Sequence, residues 1–185
     1  MPHVPTGFAA LDAALPGGGW PAGAVTELMP DTAGIGELSL ALPALARLTQ
    51  AGRHVVWIAP PHLPYPPALL QHGLLLERLL VIQAAEPASQ LWSAEQLLRC
   101  AAIGAVLCWP LTLDDRRVRR LQLAAEAGGG CALLYRPIAA AQAPSPAALR
   151  LRLQSAPGGL RIEIRKARGR HAHAVVVHPA AAAAA

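Results

Sequence analysis

The residues most able to do chemistry lie at Met29-Pro30-Asp31-Thr32-Ala33-Gly34-Ile35-Gly36, between an apolar strand candidate and a helix candidate. A strand, a glycine-containing loop and a helix together form the architecture that cradles phosphate. Backbone N–H groups surround the anion, a lysine neutralises its charge and a Ser or Thr hydroxyl holds magnesium. Laid on G-x-x-x-x-G-K-[ST], the window keeps only Gly34. Met29 stands for the first glycine, Ile35 for the lysine and Gly36 for the hydroxyl residue. Asp31 and Glu37 add negative charge where phosphate would lie, and the chain's one lysine, Lys166, is far away in sequence. The window therefore argues against a nucleotide site, and no cofactor is expected.

Other chemistry finds less support. His171 and His173 would share one face of a strand, with His178 nearby, but no fourth metal ligand is placed. The serines at 39, 89, 93, 145 and 155 lie in no G-x-S-x-G elbow. Gly34-Ile35-Gly36 is a fragment of a dinucleotide fingerprint whose third glycine position is Ser39. Cys100, Cys108 and Cys131 each sit in an apolar run without metal spacing, so they read as reduced core residues. No catalytic residue is assigned.

Charge offers a different function class. The chain has 16 Lys and Arg against 11 Asp and Glu, a net charge of +5. Four arginines crowd residues 116–120, beside Asp114 and Asp115. Seven basic residues lie between Arg150 and Arg170, opposed only by Glu163. Either cluster is a solvated face or a contact for nucleic acid or an acidic protein. Arg161, Arg165, Lys166, Arg168 and Arg170 are the candidate partner or DNA surface. Trp20 and Trp92, at element edges, are candidate exposed anchors, whereas Trp57 and Trp109 lie in apolar strands.

The elements that position these residues follow from periodicity. Residues 185 in number, 54% hydrophobic but 4% aromatic, build a core from Ala, Leu and Val. Strands are expected at 24–28, 54–59, 79–83, 104–109 and 131–135, and helices at 37–50, 66–75, 91–101 and 113–127. Val4 to Leu15 reads as an entry turn and short helix, and residues 16–21 as a loop. Pro43 must kink the 37–50 helix or occupy its first turn. Strands alternating with helices predict an α/β fold with a mostly parallel sheet. After an Ala/Pro linker at 139–146, Leu149-Arg150-Leu151-Arg152-Leu153 and Leu160-Arg161-Ile162-Glu163-Ile164-Arg165 alternate apolar and polar residues. That period predicts an antiparallel hairpin with one wet face at a sheet edge, and residues 174–177 a last strand. The organisation expected is one domain over residues 1–178, an α/β core at 4–138 with a β extension at 149–177. The Ala-rich 179–185 is read as a frayed tail. Met1 to Gly7 has no export signal, and no apolar run reaches the ~18 residues of a membrane span, so a cytoplasmic protein is expected.

The ordered set of motifs resembles known families. Val4 to Leu15 followed by Gly-Gly-Gly-Trp-Pro-Ala-Gly resembles the entry segment of RecA, which also runs into the phosphate loop. Pro16-Gly17-Gly18-Gly19-Trp20-Pro21 and Gly34-Ile35-Gly36-Glu37-Leu38-Ser39-Leu40 resemble the ImuA family of translesion-synthesis accessory proteins. Residues 105–137 resemble SulA, with Trp109, an acid-flanked helix, a glycine stop and Tyr135-Arg136-Pro137. The resemblance implies a RecA-like core with its ATP site lost. The catalytic glutamate falls at Pro61, the magnesium-linked aspartate near Trp109 and the phosphate-sensing glutamine near Pro137. RecA carries a helix and strand ahead of this entry segment that dock on the next subunit, so no self-assembled filament is expected. The ImuA likeness implies a non-catalytic adaptor of SOS translesion synthesis. Its implied partners are RecA, the polymerase-like protein ImuB and an error-prone replicative-type polymerase, with DNA contact open. The alternative is a SulA-like inhibitor that caps the tubulin-like division protein. A residual nucleotide switch is the third reading.

Overall fold

A computed structural model describes residues 2–167 and 174–179. In chain order the elements are β1 (His3–Val4), α1 (Ala9–Ala14), β2 (Trp20–Pro21), β3 (Ala24–Pro30), α2 (Leu42–Gln50) and β4 (His54–Ile58). Then come α3 (Pro66–Gln71), β5 (Leu79–Ile82), α4 (Pro87–Leu98), β6 (Ile103–Cys108), α5 (Asp115–Gly128), β7 (Cys131–Tyr135), β8 (Leu149–Ala156), β9 (Gly159–Ala167) and β10 (Ala174–Val177). Eight strands form one sheet in the order β10-β9-β8-β3-β7-β6-β4-β5, and β1 and β2 form a separate antiparallel ribbon. The run from β8 to β5 is parallel throughout. The fold is thus mixed α/β, with a mainly parallel sheet flanked by helices.

Three expectations change. β8 pairs parallel with β3, so the 149–177 extension enters the sheet parallel, and only β9 and β10 bring antiparallel pairing. Pro16 to Pro21 is not all loop, because Trp20 and Pro21 pair with Val4 and His3. Helix α2 begins at Leu42, not Glu37, and Pro43 lies in its first turn. Proline has no N–H to give and its ring forbids a helical residue before it deeper in the helix, so it sets the start there. Gly7, in a left-handed conformation at φ 92°, lets the entry turn lie against Pro43; a Cβ at Gly7 would approach the Pro43 Cβ to 2.5 Å.

The sheet's two faces are covered differently. On one face Leu28, Val55, Trp57, Leu107, Leu133, Leu151, Ile162 and Val177 pack beneath α1 and α2 in one core. On the other, Val25, Val56, Val106, Cys108 and Leu134 pack beneath α4 and α5, through Ala94, Leu98, Val118 and Leu121. Those two helices reach β3, β7, β6 and β4. The polar side of β8 and β9 lies beyond them.

Glu27 lies on that second face, fully buried. Two guanidiniums hold it: Arg136 donates to Oε1 at 2.6 Å and Arg150 to Oε2 at 2.6 Å. The Ser145 hydroxyl donates to Oε1 at 3.0 Å. Arg136 also donates to the Leu113 carbonyl, and Arg150 to the carbonyls of Ala140 and Ala143. One carboxylate on β3 therefore ties down β7, β8, the linker before β8 and the turn before α5. Arg150, which alternation placed on the wet face, is buried for this reason. A buried charge is tolerated only when paired and bonded, and losing one partner of such a set costs about 3–5 kcal/mol. Glu27→Ala is expected to lower the unfolding free energy by about that amount in urea titrations. Glu27→Gln, which keeps one acceptor, is expected to cost less.

Candidate interaction site at the carboxyl edge of the sheet

In an open parallel sheet, ligands bind beyond the carboxyl ends of the strands. Here that edge gathers the residues after β3, β4, β6 and β7, including the phosphate-loop window. Met29 is not in the loop: it is fully buried within β3, in contact with Arg150. Gly34 is exposed, but its N–H donates to Glu37 Oε1 at 3.1 Å. The backbone donor that would meet a phosphate is therefore taken by a carboxylate. Ile35 packs against the main core. Asp31 receives both Nε and Nη2 of Arg152, at 2.7 and 3.0 Å, and the Gln154 amide at 3.2 Å. The edge thus supplies its own anions.

Aromatic rings close the space beside it. Trp109 stacks on Tyr135 with centroids 5.1 Å apart and meets Trp57 edge-on at 6.2 Å. Burial pushes the Tyr135 hydroxyl far above its ordinary range, and the neighbouring Glu37 charge adds to this. Trp109 was read as core and is half-buried. Burial also pushes the Cys108 thiol up to about 11 and the Cys131 thiol up to about 12, so neither is a thiolate at neutral pH. Cys100, read as a core residue, is exposed. Among the described residues, no group of three metal-ligating side chains comes together.

The loops after β4 and β6 expose apolar residues. Leu63 is 76% exposed, Tyr65 70% and Leu111 82%. β4 and β6 are adjacent and parallel, so both loops leave the sheet at the same edge. Ala59, the first residue after β4, is the one non-glycine residue with positive φ among those described, at 46°. A strained backbone of this kind persists where surroundings impose it, and such strain gathers at functional sites. Large apolar side chains held in water at a ligand-binding edge suit a protein partner better than a small polar substrate.

The basic candidates are only partly assembled. Arg161 and Arg165 are exposed on the open polar face of β9, where Arg165 pairs with Glu163 at 2.7 Å. Lys166 turns elsewhere, its Nζ donating to the Ser145 carbonyl. A register shift in the β8–β9 pairing, opposite Arg165, separates the two side chains. Arg168, Arg170, His171 and His173 lie outside the described residues. Trp20, expected at an edge, is buried at 1% exposure, whereas Trp92 is 62% exposed. The exposed leucines at 63 and 111 were missed, because nothing in a single leucine distinguishes surface from core. Their signal was position, in loops bounded by prolines after buried strands.

The family model described as cell division inhibitor SulA matches residues 23–132. The chain belongs to the SulA family. The SulA of Edwardsiella piscicida is 36% identical over 103 residues, 54% of this chain and 60% of that protein. The crystal structure of SulA from Pseudomonas aeruginosa is similar with a TM-score of 0.51 and 29% identity, over 60% of this chain and 97% of that one. The match thus spans about three fifths of the curated SulA relative's length. ImuA of Caulobacter vibrioides is 31% identical over 134 residues, 70% of this chain and 55% of that protein. The translesion-synthesis reading is corrected accordingly: the family model and the solved SulA structure overturn it. RecA, ImuB and the polymerase were expected as partners on the ImuA resemblance alone. Among the described residues, no helix is long and apolar enough to cross a membrane.

The Asp31 pairing has a consequence for acid stability. The hydrogen bonds from Arg152 hold the Asp31 carboxyl below its ordinary value, against the opposing effect of burial. A carboxylate whose native titration is lowered adds stability above its unfolded value, about pH 4, and loses it as pH falls through the native value. Unfolding midpoints measured from neutral pH to about pH 3 are expected to fall less steeply in Asp31→Asn than in the unsubstituted chain.

Proposed function

We propose that this chain arrests cell division by binding the tubulin-like division protein, without catalysis. The observation that carries the reading is the SulA family match over residues 23–132, which contain both apolar edge loops. Leu63, Tyr65 and Leu111 form the anchor, presented by a sheet edge where Glu37 accepts from the Gly34 N–H and Arg152 holds Asp31. Binding alone suffices for such an inhibitor: a protein that covers an assembly surface stops growth by mass action. The edge loops are held by a parallel sheet buried on both faces, so the anchors meet a partner without a large ordering cost.

Expression in a dividing bacterium tests this. The unsubstituted chain is expected to give elongated, undivided cells. Leu63→Asp with Leu111→Asp, at equal protein level, is expected to restore normal length. These residues are exposed, so the substitutions leave the fold intact. Normal division during expression of the unsubstituted chain would refute the proposal.

A further inference from the structure

Helices α4 and α5 both run from the carboxyl edge toward the amino edge, side by side over the sheet. At their carboxyl ends they touch. A Cβ on Gly128 would collide with the Leu98 and Arg99 carbonyls, so this glycine permits the close approach. Toward their amino ends the helices part, leaving an open groove of about 440 Å³. Ala88, Leu91, Trp92 and Glu95 line it from α4, and Arg117, Arg120 and Leu121 from α5. These positions follow the three-and-four spacing of one helix face in each case.

The groove's chemistry is specific. Its floor holds Glu95, a nearly buried carboxylate that receives Arg99 at 2.8 Å and Arg120 at 2.5 Å. The hydrogen bonds from Arg99 and then Arg120 keep that carboxyl ionised below its usual range. The arginines are thereby fixed in place, while Arg120 stays half-exposed at the wall. Arg117 pairs only loosely with Asp114, at 3.7 Å. Arg116 and Arg119, on the same helix, are exposed and make no ion pair among the described residues. Trp92 stands 62% exposed on the opposite wall. Tryptophan and arginine are both enriched among the residues that carry most of the binding energy at protein interfaces.

We infer that the α4–α5 groove is a second docking site, which takes an acidic amphipathic helix of a protein partner. The partner's apolar stripe would lie on Trp92, Leu91 and Leu121, and its carboxylates would meet Arg117 and Arg120. Helix-in-groove recognition reads such anchors at intervals of three and four. The parted helices supply the apolar trough, and the exposed guanidiniums of Arg117 and Arg120 supply complementary charge. A peptide fits this better than single-stranded nucleic acid, which needs a row of stacking aromatics along a basic track; Trp92 stands alone here. The inference does not depend on the division-inhibitor reading, since it concerns a different surface and its test needs no division protein.

The probe is a synthetic helical peptide of about four turns, with glutamates on one side and leucines on the other. Trp92 supplies the signal, because Trp20 and Trp57 are buried and Trp109 is stacked. Saturable change in tryptophan emission is expected on titration, absent in Trp92→Phe. Fluorescence anisotropy of a labelled peptide should show about tenfold weaker binding to Trp92→Ala and to Arg117→Glu. Both substitutions lie at exposed positions, and circular dichroism checks their folding. A version of the peptide with lysine for glutamate should not bind. The proposal is overturned if the acidic peptide does not saturate, if the lysine version binds equally, or if both variants bind as the unsubstituted chain does. Preference for a single-stranded thymidine oligonucleotide over the acidic peptide would also overturn it, in favour of a nucleic-acid face.

Discussion

A single buried carboxylate organises the middle of this molecule. Glu27 sits in the central strand β3 with no exposed surface, and Arg136, just past β7, and Arg150, in β8, reach it from either side. Those arginines also bond two segments that form no regular ladder with β3. The linker before β8 is pinned by Arg150, and the turn before α5 by Arg136. The hairpin β8–β9 is thereby locked to the sheet, and the loops of the carboxyl edge rest on a fixed frame. Such a set contributes more to a unique arrangement than to net stability, since apolar replacements of equal volume are often as stable.

Above that frame lies the carboxyl edge of the parallel sheet. The turn after β3 still brings Gly34 into the open, but Glu37 occupies its N–H. At the ends of β6 and β7, Trp109 stacks on Tyr135. The strain at Ala59 marks where the chain turns out of β4 to present Leu63 and Tyr65.

Much of this was legible in the residues. The strand Cys131–Tyr135 was placed to the residue, because Gly128-Gly129-Gly130 and Pro137 bracket a pure apolar run. The alternation of strands and helices sufficed for the parallel sheet. Helix α2 was overextended by five residues at its start, since periodicity is continuous through 38 and 42 and only the backbone of Pro43 decides the boundary. Arg150 was misread because alternation assigns a face but not a tertiary partner, and Glu27 is 123 residues distant. The bond from the Gly34 N–H to Glu37 is local, three residues apart, whereas the pairing of Asp31 with Arg152 spans 121 residues and depends on tertiary approach. The family assignment went to ImuA because the Pro5 to Gly23 entry and the Leu149 to Val177 hairpin were read as segments that SulA lacks. Those segments pack against each other, with α1 beneath β10, and all but Gly23 lie outside the 23–132 span that defines the SulA relationship.

The measurement that bears most directly on this account is hydrogen exchange of the purified chain with and without the tubulin-like division protein. The account predicts a stable complex in which amides of residues 59–65 and 109–114 become protected, while those of β8 to β10 stay unchanged. Absence of a complex, or protection confined to the β8–β10 hairpin, would contradict it.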